Sequence, residues 1–230
     1  MMFRHHINCL AKLVVSAVFF TSTIAVHAGA FDRFFQAAKN NDESTIVGLT
    51  LRSFDLNIVD ERGETALLIA VRNGSTQVVD FLLRQPSVKV EARNPNGESP
   101  LMLAALQGDL TTARKLIQRK AEVNKTQWTP LHYACSNAQP SSEALVRLLL
   151  EHHAYIDAES PNKTTPLMMA ARYGHGDLVA LLLEEGADPT LRNEQGLTAV
   201  DFARQVGRDE QAGLIAAAVR ARSTKTHPSR

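Results

Sequence analysis

A six-residue pattern recurs five times along this chain of 230 residues, and it limits the possible folds more than any other feature. Each copy starts with Thr or Ser, continues with Ala or Pro, and carries a mostly hydrophobic run that ends in Ala. The copies start at Thr65, Ser99, Thr129, Thr165 and Thr198, at spacings of 34, 30, 36 and 33 residues. A repeat of this length folds into one small unit, which cannot bury its hydrophobic face alone and must stack on its neighbours. The pattern therefore predicts an elongated stack rather than a single globular core.

Each copy has the composition of a helix start. Thr or Ser caps a helix N-terminus, and Pro at the next position has the backbone angle that the first helical residue needs. Leu and Ala follow at helical spacing, and in four of the five copies a glycine suited to a left-handed turn comes next. A second apolar stripe follows, so each repeat is predicted to be a helix–turn–helix unit. The positions to which we assign structural roles are the caps Thr65, Thr129 and Thr165 and the turn residues Gly74, Gly108, Gly174 and Gly186.

The third copy identifies a family. It reads Thr129-Pro130-Leu131-His132-Tyr133-Ala134, which resembles the Thr-Pro-Leu-His-x-Ala signature of the ankyrin repeat at every specified position. The resemblance covers roughly residues 31–220 and implies an all-α ankyrin-repeat solenoid of stacked helix–turn–helix units with short β-hairpin fingers. It also implies that His132 ties neighbouring repeats together by hydrogen bonds. The bounds expected on this basis are an N-terminal cap over residues 31–58, repeats over about 61–93, 94–125, 126–158 and 159–193, a C-terminal cap over 194–220, and a disordered basic tail over 221–230.

Residues 1–28 have the pattern of a secretory signal peptide. Arg4 and Lys12 supply a positive start, and an apolar stretch follows up to Val26. Small residues then allow cleavage after Ala28 or Ala30. The apolar stretch is shorter than the roughly 20 residues that span a membrane, which favours cleavage over a permanent anchor. We therefore expect export to the bacterial periplasm, with secretion from the cell as the alternative.

The cysteines and catalytic motifs favour a non-enzymatic protein. Cleavage would remove Cys9 and leave Cys135 without a partner for an intramolecular disulfide. Cys135 follows Ala134, where other repeats have a second small helical residue, so we expect it to be a small buried side chain. The chain has no nucleophile-elbow motif, no phosphate-binding glycine loop and no paired metal-ligand motif. The sequence thus predicts no catalysis, no cofactor and no metal, although a redox or enzyme-supporting role of Cys135 stays open.

Charge argues against nucleic-acid and membrane partners. The chain has 25 basic and 24 acidic residues, and no basic run apart from the short C-terminal tail. No basic amphipathic helix is available for a membrane surface once the signal is removed. The expected partner is therefore an unidentified protein, bound by a monomer.

The repeat is irregular at two places. The finger between Asn124 and Trp128 is about three residues short, and the loop near Pro140 is about three residues long. Length drift in surface loops costs little free energy and explains both changes. The functional interpretation is that the short finger exposes a patch. In addition, Lys120 and His153 replace the usual glycine after the second helix, so we expect both in the left-handed conformation.

The resemblance also implies a binding surface. Partners of ankyrin arrays dock on the concave face, by which we mean the finger tips and the exposed ends of the first helices. Trp, Tyr and Arg are enriched in interface hot spots, which favours Trp128, Arg172 and Tyr173; in the alternative, Trp128 packs on its neighbours and Arg172 is merely solvated. The predicted function is a non-catalytic protein-binding adaptor or scaffold of the periplasm, or else a secreted effector that binds a host protein. The concave-face positions are Arg62, Glu64, Arg72, Asn73, Asn96, Glu98, Leu106, Gln107, Trp128, Ser136, Asn137, Thr164, Arg172, Tyr173, Leu197, Gln205 and Val206.

Overall fold

The structure, a computed structural model, describes residues 29–174 and 177–226, with side chains through Ser223. The predicted signal peptide, residues 1–28, lies outside these residues. The described chain forms six consecutive helix pairs joined by loops. The helices are α1 (29–39), α2 (Glu43–Thr50), α3 (Ala66–Arg72), α4 (Thr76–Arg84), α5 (Pro100–Gln107), α6 (Leu110–Gln118), α7 (Pro130–Cys135), α8 (Ser142–Glu151), α9 (Pro166–Tyr173), α10 (Leu178–Glu184), α11 (Ala199–Arg204) and α12 (Asp209–Thr226).

The pairs stack in two rows. The first helices pack in the order α3, α5, α7, α9 and α11, and the second helices pack in the order α2, α4, α6, α8, α10 and α12. One hydrophobic core runs between the rows without interruption, from Phe34 to Ile215. This is the all-α solenoid that the repeat predicts, because each pair buries its apolar stripe only against the next pair.

The capping positions start the first helices. The hydroxyls of Thr65, Thr129 and Thr165 each accept a hydrogen bond at 3.4 Å from the backbone N–H three residues further on. In α7 and α9, Pro occupies the first helical position. Such a cap stabilises a helix by about 1 kcal/mol, so the same local chemistry sets the register of every repeat.

The turn glycines do not all behave alike. Gly74, Gly108 and Gly186 have positive φ angles of 66°, 69° and 100°. The left-handed turn predicted at Gly174 is wrong, because its φ is −62° and its ψ is 152°. A Cβ at Gly174 would lie 2.7 Å from the carbonyl oxygen of Ala170. Glycine is needed there because the chain passes close to the end of α9, not because of its backbone angles.

The fingers close through backbone and side-chain hydrogen bonds across a turn rather than through strands. Asp60, Asn94 and Asn193 each accept hydrogen bonds from the backbone N–H groups two and four residues further on. Within the described residues the only β-type pairing is an isolated bridge between Val59 and Thr65. The fingers are therefore tight turns, since the Asp and Asn oxygens take the N–H groups that a strand ladder would use.

Hydrogen bonds between fingers locate the short one. Asn57 and Asn124 stand at equivalent positions, because each bonds backbone groups of the following finger: Ser87 and Lys89 for Asn57, His153 and Tyr155 for Asn124. The cap Thr65 comes eight residues after Asn57, but Thr129 comes only five after Asn124. The three missing residues are thus those of the finger tip, between Asn124 and Thr129.

The long loop, residues 136–141, packs on the preceding repeat. A Cβ on Gly108 would lie 2.4 Å from the Ser141 hydroxyl and 2.8 Å from the Asn137 amide nitrogen. The three additional residues near Pro140 therefore make a contact inside the array, against the turn between α5 and α6.

The C-terminal segment is more ordered than the sequence suggests. Helix α12 continues to Thr226, so residues 221–226 are helical and their prediction as a disordered tail is wrong; residues 227–230 lie outside the description. The three alanines at 216–218 favour helix, and Arg222 forms an ion pair with Asp188 at 3.2 Å. No helix in residues 29–174 and 177–226 has both the length and the apolar character to cross a membrane.

Candidate functional site

Side chains on the concave face are regularly spaced, because the repeats are in register. Counting from each capping residue defines two sets of positions. The pre-cap positions, one residue before the cap, are Glu64, Glu98, Trp128, Thr164 and Leu197. The helix-end positions, seven and eight residues after the cap, are Arg72 and Asn73, Leu106 and Gln107, Ser136 and Asn137, Arg172 and Tyr173, and Gln205 and Val206.

Most predicted partner-binding residues are accessible. Arg62, Arg72, Asn96, Leu106, Gln107, Tyr173 and Val206 are exposed, and Trp128, Ser136, Arg172 and Leu197 are half-buried. Glu64, Asn137 and Thr164 are buried, so their prediction as contact residues is wrong. Glu64 pairs with Arg72, Asn137 belongs to the long loop and faces Gly108, and the Thr164 carbonyl bonds His132.

A network of charged side chains occupies the N-terminal part of this face. Arg72 lies 2.5 Å from Glu64 and 3.6 Å from Glu98. The Asn94 amide donates to both carboxylates, and the Tyr133 hydroxyl donates to Glu98 at 3.1 Å. Desolvation and the Glu98 charge raise the pKa of Tyr133 to about 12. Arg72 is therefore exposed but already engaged in ion pairs within the array. The sequence reasoning missed these pairs, although Glu at two successive pre-cap positions was the available signal.

A groove lies at the centre of the face, beside the short finger. Trp128 occupies a pre-cap position, and its ring stands edge-on to His132, with centroids 5.3 Å apart. The groove has a volume of about 200 Å³. Trp128 is thus partly packed: its ring forms a T-shaped contact with His132 and also lines the groove. The other lining residues are Leu106, His132, Tyr133, Ser136 and Met169.

Arg172 and Tyr173 follow the groove residue Met169 by three and four positions, one helical turn further along α9. The Arg172 guanidinium lies 5.4 Å from the centroid of the Tyr173 ring, within cation–π range. Its Nη1 donates to Gln205 at 2.8 Å, while its buried Nε has no hydrogen-bond partner. Arg172 is therefore positioned by its neighbours but not saturated by them.

His132 connects two repeats. Its Nδ1 accepts from the Thr129 backbone N–H at 3.2 Å, which places the ring proton on Nε2. Nε2 donates to the Thr164 carbonyl at 2.9 Å. Desolvation lowers the pKa of His132 to about 4. The ring is thus neutral near pH 7 and acts as a link within the array.

Cys135 is fully buried in the core between the helix rows. Burial raises the pKa of its thiol, so the reactive thiolate is disfavoured. This environment gives no support to the alternative of a redox role. Among the side chains that the structure describes, no three His, Cys, Asp or Glu residues form a group able to hold a metal ion.

The stacked helix pairs, with equivalent side chains in register on one face, define a repeat protein. A model of ankyrin repeats matches residues 34–127 and 121–193. The chain belongs to the ankyrin-repeat family, whose fold generally serves as a non-catalytic scaffold for protein interaction.

Curated relatives are mostly much longer proteins. The chain is 32% identical over 163 residues to the nuclear factor NF-kappa-B p105 subunit of Mus musculus, covering 68% of this chain and 17% of that protein. It is 28% identical over 172 residues to the transient receptor potential cation channel subfamily A member 1 of Homo sapiens, covering 70% and 15%. The similarity to these two proteins therefore lies in the repeats and spans under a fifth of either relative.

Two solved structures are similar over nearly their whole chains. One is a chain from the complex of a predatory endopeptidase of Bdellovibrio bacteriovorus with an immunity protein, at 27% identity and a TM-score of 0.68. The other is an ankyrin repeat domain from Acinetobacter baumannii, also at 27% and 0.68. Each match covers 80% of this chain, and 97% and 96% of the solved chains.

Proposed function

We propose that the protein is an exported, non-catalytic adaptor that binds one protein partner through the groove and helix ends of its concave face. The observation that carries this proposal is the groove beside the short finger. Leu106 lines this groove with an exposed fraction of 44%, and Tyr173 and Val206, at the helix-end positions of the next two repeats, are 47% and 42% exposed. Exposed apolar side chains at successive helix ends, together with a half-buried Trp, are typical of an interface centre.

The test is affinity capture from a periplasmic extract of the source organism. The double variant Trp128→Ala, Tyr173→Ala removes the two aromatic side chains of the face. The matched control is Leu51→Ala with Leu214→Ala. It removes two exposed apolar side chains outside the concave face, one just after α2 and one in α12. Loss of the captured protein in the first variant alone supports the proposal, and unchanged capture by the first variant contradicts it.

Export is supported by the signal-like pattern of residues 1–28. The mass of the native protein tests it, because cleavage after Ala28 or Ala30 gives two defined masses. A native protein that retains Met1 contradicts export through a cleaved signal. Recovery of the processed protein from the culture medium, rather than from the periplasm, favours the alternative of a secreted effector.

A peptidase is a second candidate for the kind of partner. The observation that favours it is the match to 97% of a chain from the complex of an endopeptidase with an immunity protein. If the captured partner is a peptidase, its rate of peptide hydrolysis should fall when the purified array is added. A captured protein without hydrolytic activity, or one whose rate does not change, contradicts this candidate.

A further inference from the structure

Two arginines stand at the same helix-end position of different repeats, seven residues after the cap. Arg72 is neutralised by the pre-cap carboxylates of its own repeat and of the next, Glu64 and Glu98. At Arg172 the same two pre-cap positions are Thr164 and Leu197. Arg172 therefore occupies the same position in its repeat as Arg72, but without the two carboxylates that lie beside Arg72.

The immediate environment of Arg172 leaves its charge uncompensated. In residues 29–174 and 177–226, no Asp or Glu forms an ion pair with its guanidinium. Its one hydrogen bond is to the neutral amide of Gln205, and its buried Nε is unpartnered. A buried donor without an acceptor is unfavourable, and more so in a charged group. The Nε itself is enclosed, so an acceptor from outside the chain would approach the half-buried guanidinium through its Nη groups.

The other carboxylates in register are already occupied. Glu98 accepts from Asn94 and Tyr133 besides its interaction with Arg72. Asp201, in the repeat after Arg172, accepts from the backbone N–H and the hydroxyl of Thr198. Neither of these two carboxylates is free to move to Arg172 without losing these bonds.

We propose that Arg172 binds a carboxylate of the partner, and that the occupant of the Trp128 groove is an acidic peptide segment. In this arrangement an Asp or Glu side chain takes the guanidinium, and an apolar side chain a few residues away fills the space between Trp128 and Met169. Guanidinium and carboxylate form paired, charge-assisted hydrogen bonds, for which Arg is better suited than Lys. The inference rests on the proposed function and adds the chemistry of the partner to it.

The test is selection of a displayed random peptide library on the full chain. We expect the enriched sequences to carry Asp or Glu at a fixed spacing from an aromatic or aliphatic residue. Enrichment of basic sequences would place recognition on Glu64 and Glu98 instead and overturn the inference. Enriched sequences without an acidic residue, or no enrichment at all, would overturn it as well.

Variants then locate the contact. A synthetic copy of the enriched peptide should bind Arg172→Gln at least about tenfold more weakly than the unchanged chain. Leu197→Glu should weaken binding too, because it places an internal carboxylate where Glu98 stands relative to Arg72. Arg114→Gln, which removes an exposed cation from α6, should change affinity less than about twofold. Equal binding by Arg172→Gln and the unchanged chain contradicts the inference.

The two proposals fail separately. The double variant Trp128→Ala, Tyr173→Ala can lose the native partner while the selected peptides bind without an acidic residue. That result supports binding through the concave face and contradicts the carboxylate contact. If capture of the native partner is unchanged in that double variant, the proposed function itself falls. Thermal unfolding of each variant shows whether a weaker affinity reflects loss of the fold.

Discussion

Single residues decide where the array tolerates strain. Lys120 and His153 have φ angles of 64° and 62°, which confirms the left-handed conformation expected where glycine is replaced. Both side chains are exposed, so no packing offsets the backbone strain. A residue that adopts a positive φ without strain would therefore stabilise the array at either of these two surface positions.

Lys120→Gly should stabilise the protein by about 1 kcal/mol, because glycine adopts a positive φ without the Cβ penalty. Urea denaturation at equilibrium measures this change. The control is Gln118→Gly, at the last residue of α6, where glycine has only its entropic disadvantage and should destabilise. A lower melting temperature for Lys120→Gly would show that the lysine side chain has a role that its exposure does not reveal.

His132 should make stability depend on pH. Its pKa falls from 6.5 to about 4 in the fold because desolvation disfavours the charged ring. The stabilisation is complete above pH 6.5 and is lost as pH falls toward 4, because the unfolded chain then binds the proton more readily. Between pH 7 and pH 5 the loss amounts to about 2 kcal/mol.

Denaturant unfolding of the unchanged chain and of His132→Gln at the two pH values measures this contribution. The variant should be less stable at pH 7 and should lose much less stability on acidification. A pH dependence that is the same in both proteins would assign the effect to other groups.

At the scale of elements, local signals are sufficient for helices and insufficient for contacts between repeats. The Thr-Pro starts and apolar stripes predicted the helix pairs, since each signal lies within a few residues of the structure it specifies. The ion pairs of Arg72 were missed because Glu64 and Glu98 lie eight and 26 residues from it in the sequence, outside the spacing of neighbours on one helix. Gly174 was mistaken because close approach and positive φ both select glycine, and the sequence does not distinguish them.

Alanine substitutions at two glycines test whether close approach of the backbone requires glycine at position 174. Gly174→Ala should destabilise by about 1–3 kcal/mol, because its Cβ would lie 2.7 Å from the Ala170 carbonyl oxygen. Gly213→Ala, in the exposed face of α12 with nothing within 4 Å, should stabilise by about 0.5–1 kcal/mol. Thermal unfolding gives both signs directly. A neutral Gly174→Ala would mean that the end of α9 relaxes to admit a methyl group.

At the scale of the whole molecule, the shape of the concave face depends on the register of the repeats. Stacking puts equivalent positions of all repeats on one face, so a shorter finger lies directly between two fingers of normal length. The sequence located the three missing residues by spacing alone. That the groove beside this finger is lined by Leu106, Trp128 and Met169 depends on how three repeats pack, which no single repeat encodes.

Hydrogen–deuterium exchange of the free chain and of its complex with the captured partner shows which face of the array is covered. We expect added protection in the short finger, residues 124–128, and at the helix ends around Ser136 and Tyr173. The second helices α4, α6 and α8 should exchange as they do in the free chain. Protection confined to those second helices, with the short finger unchanged, would contradict binding through the concave face.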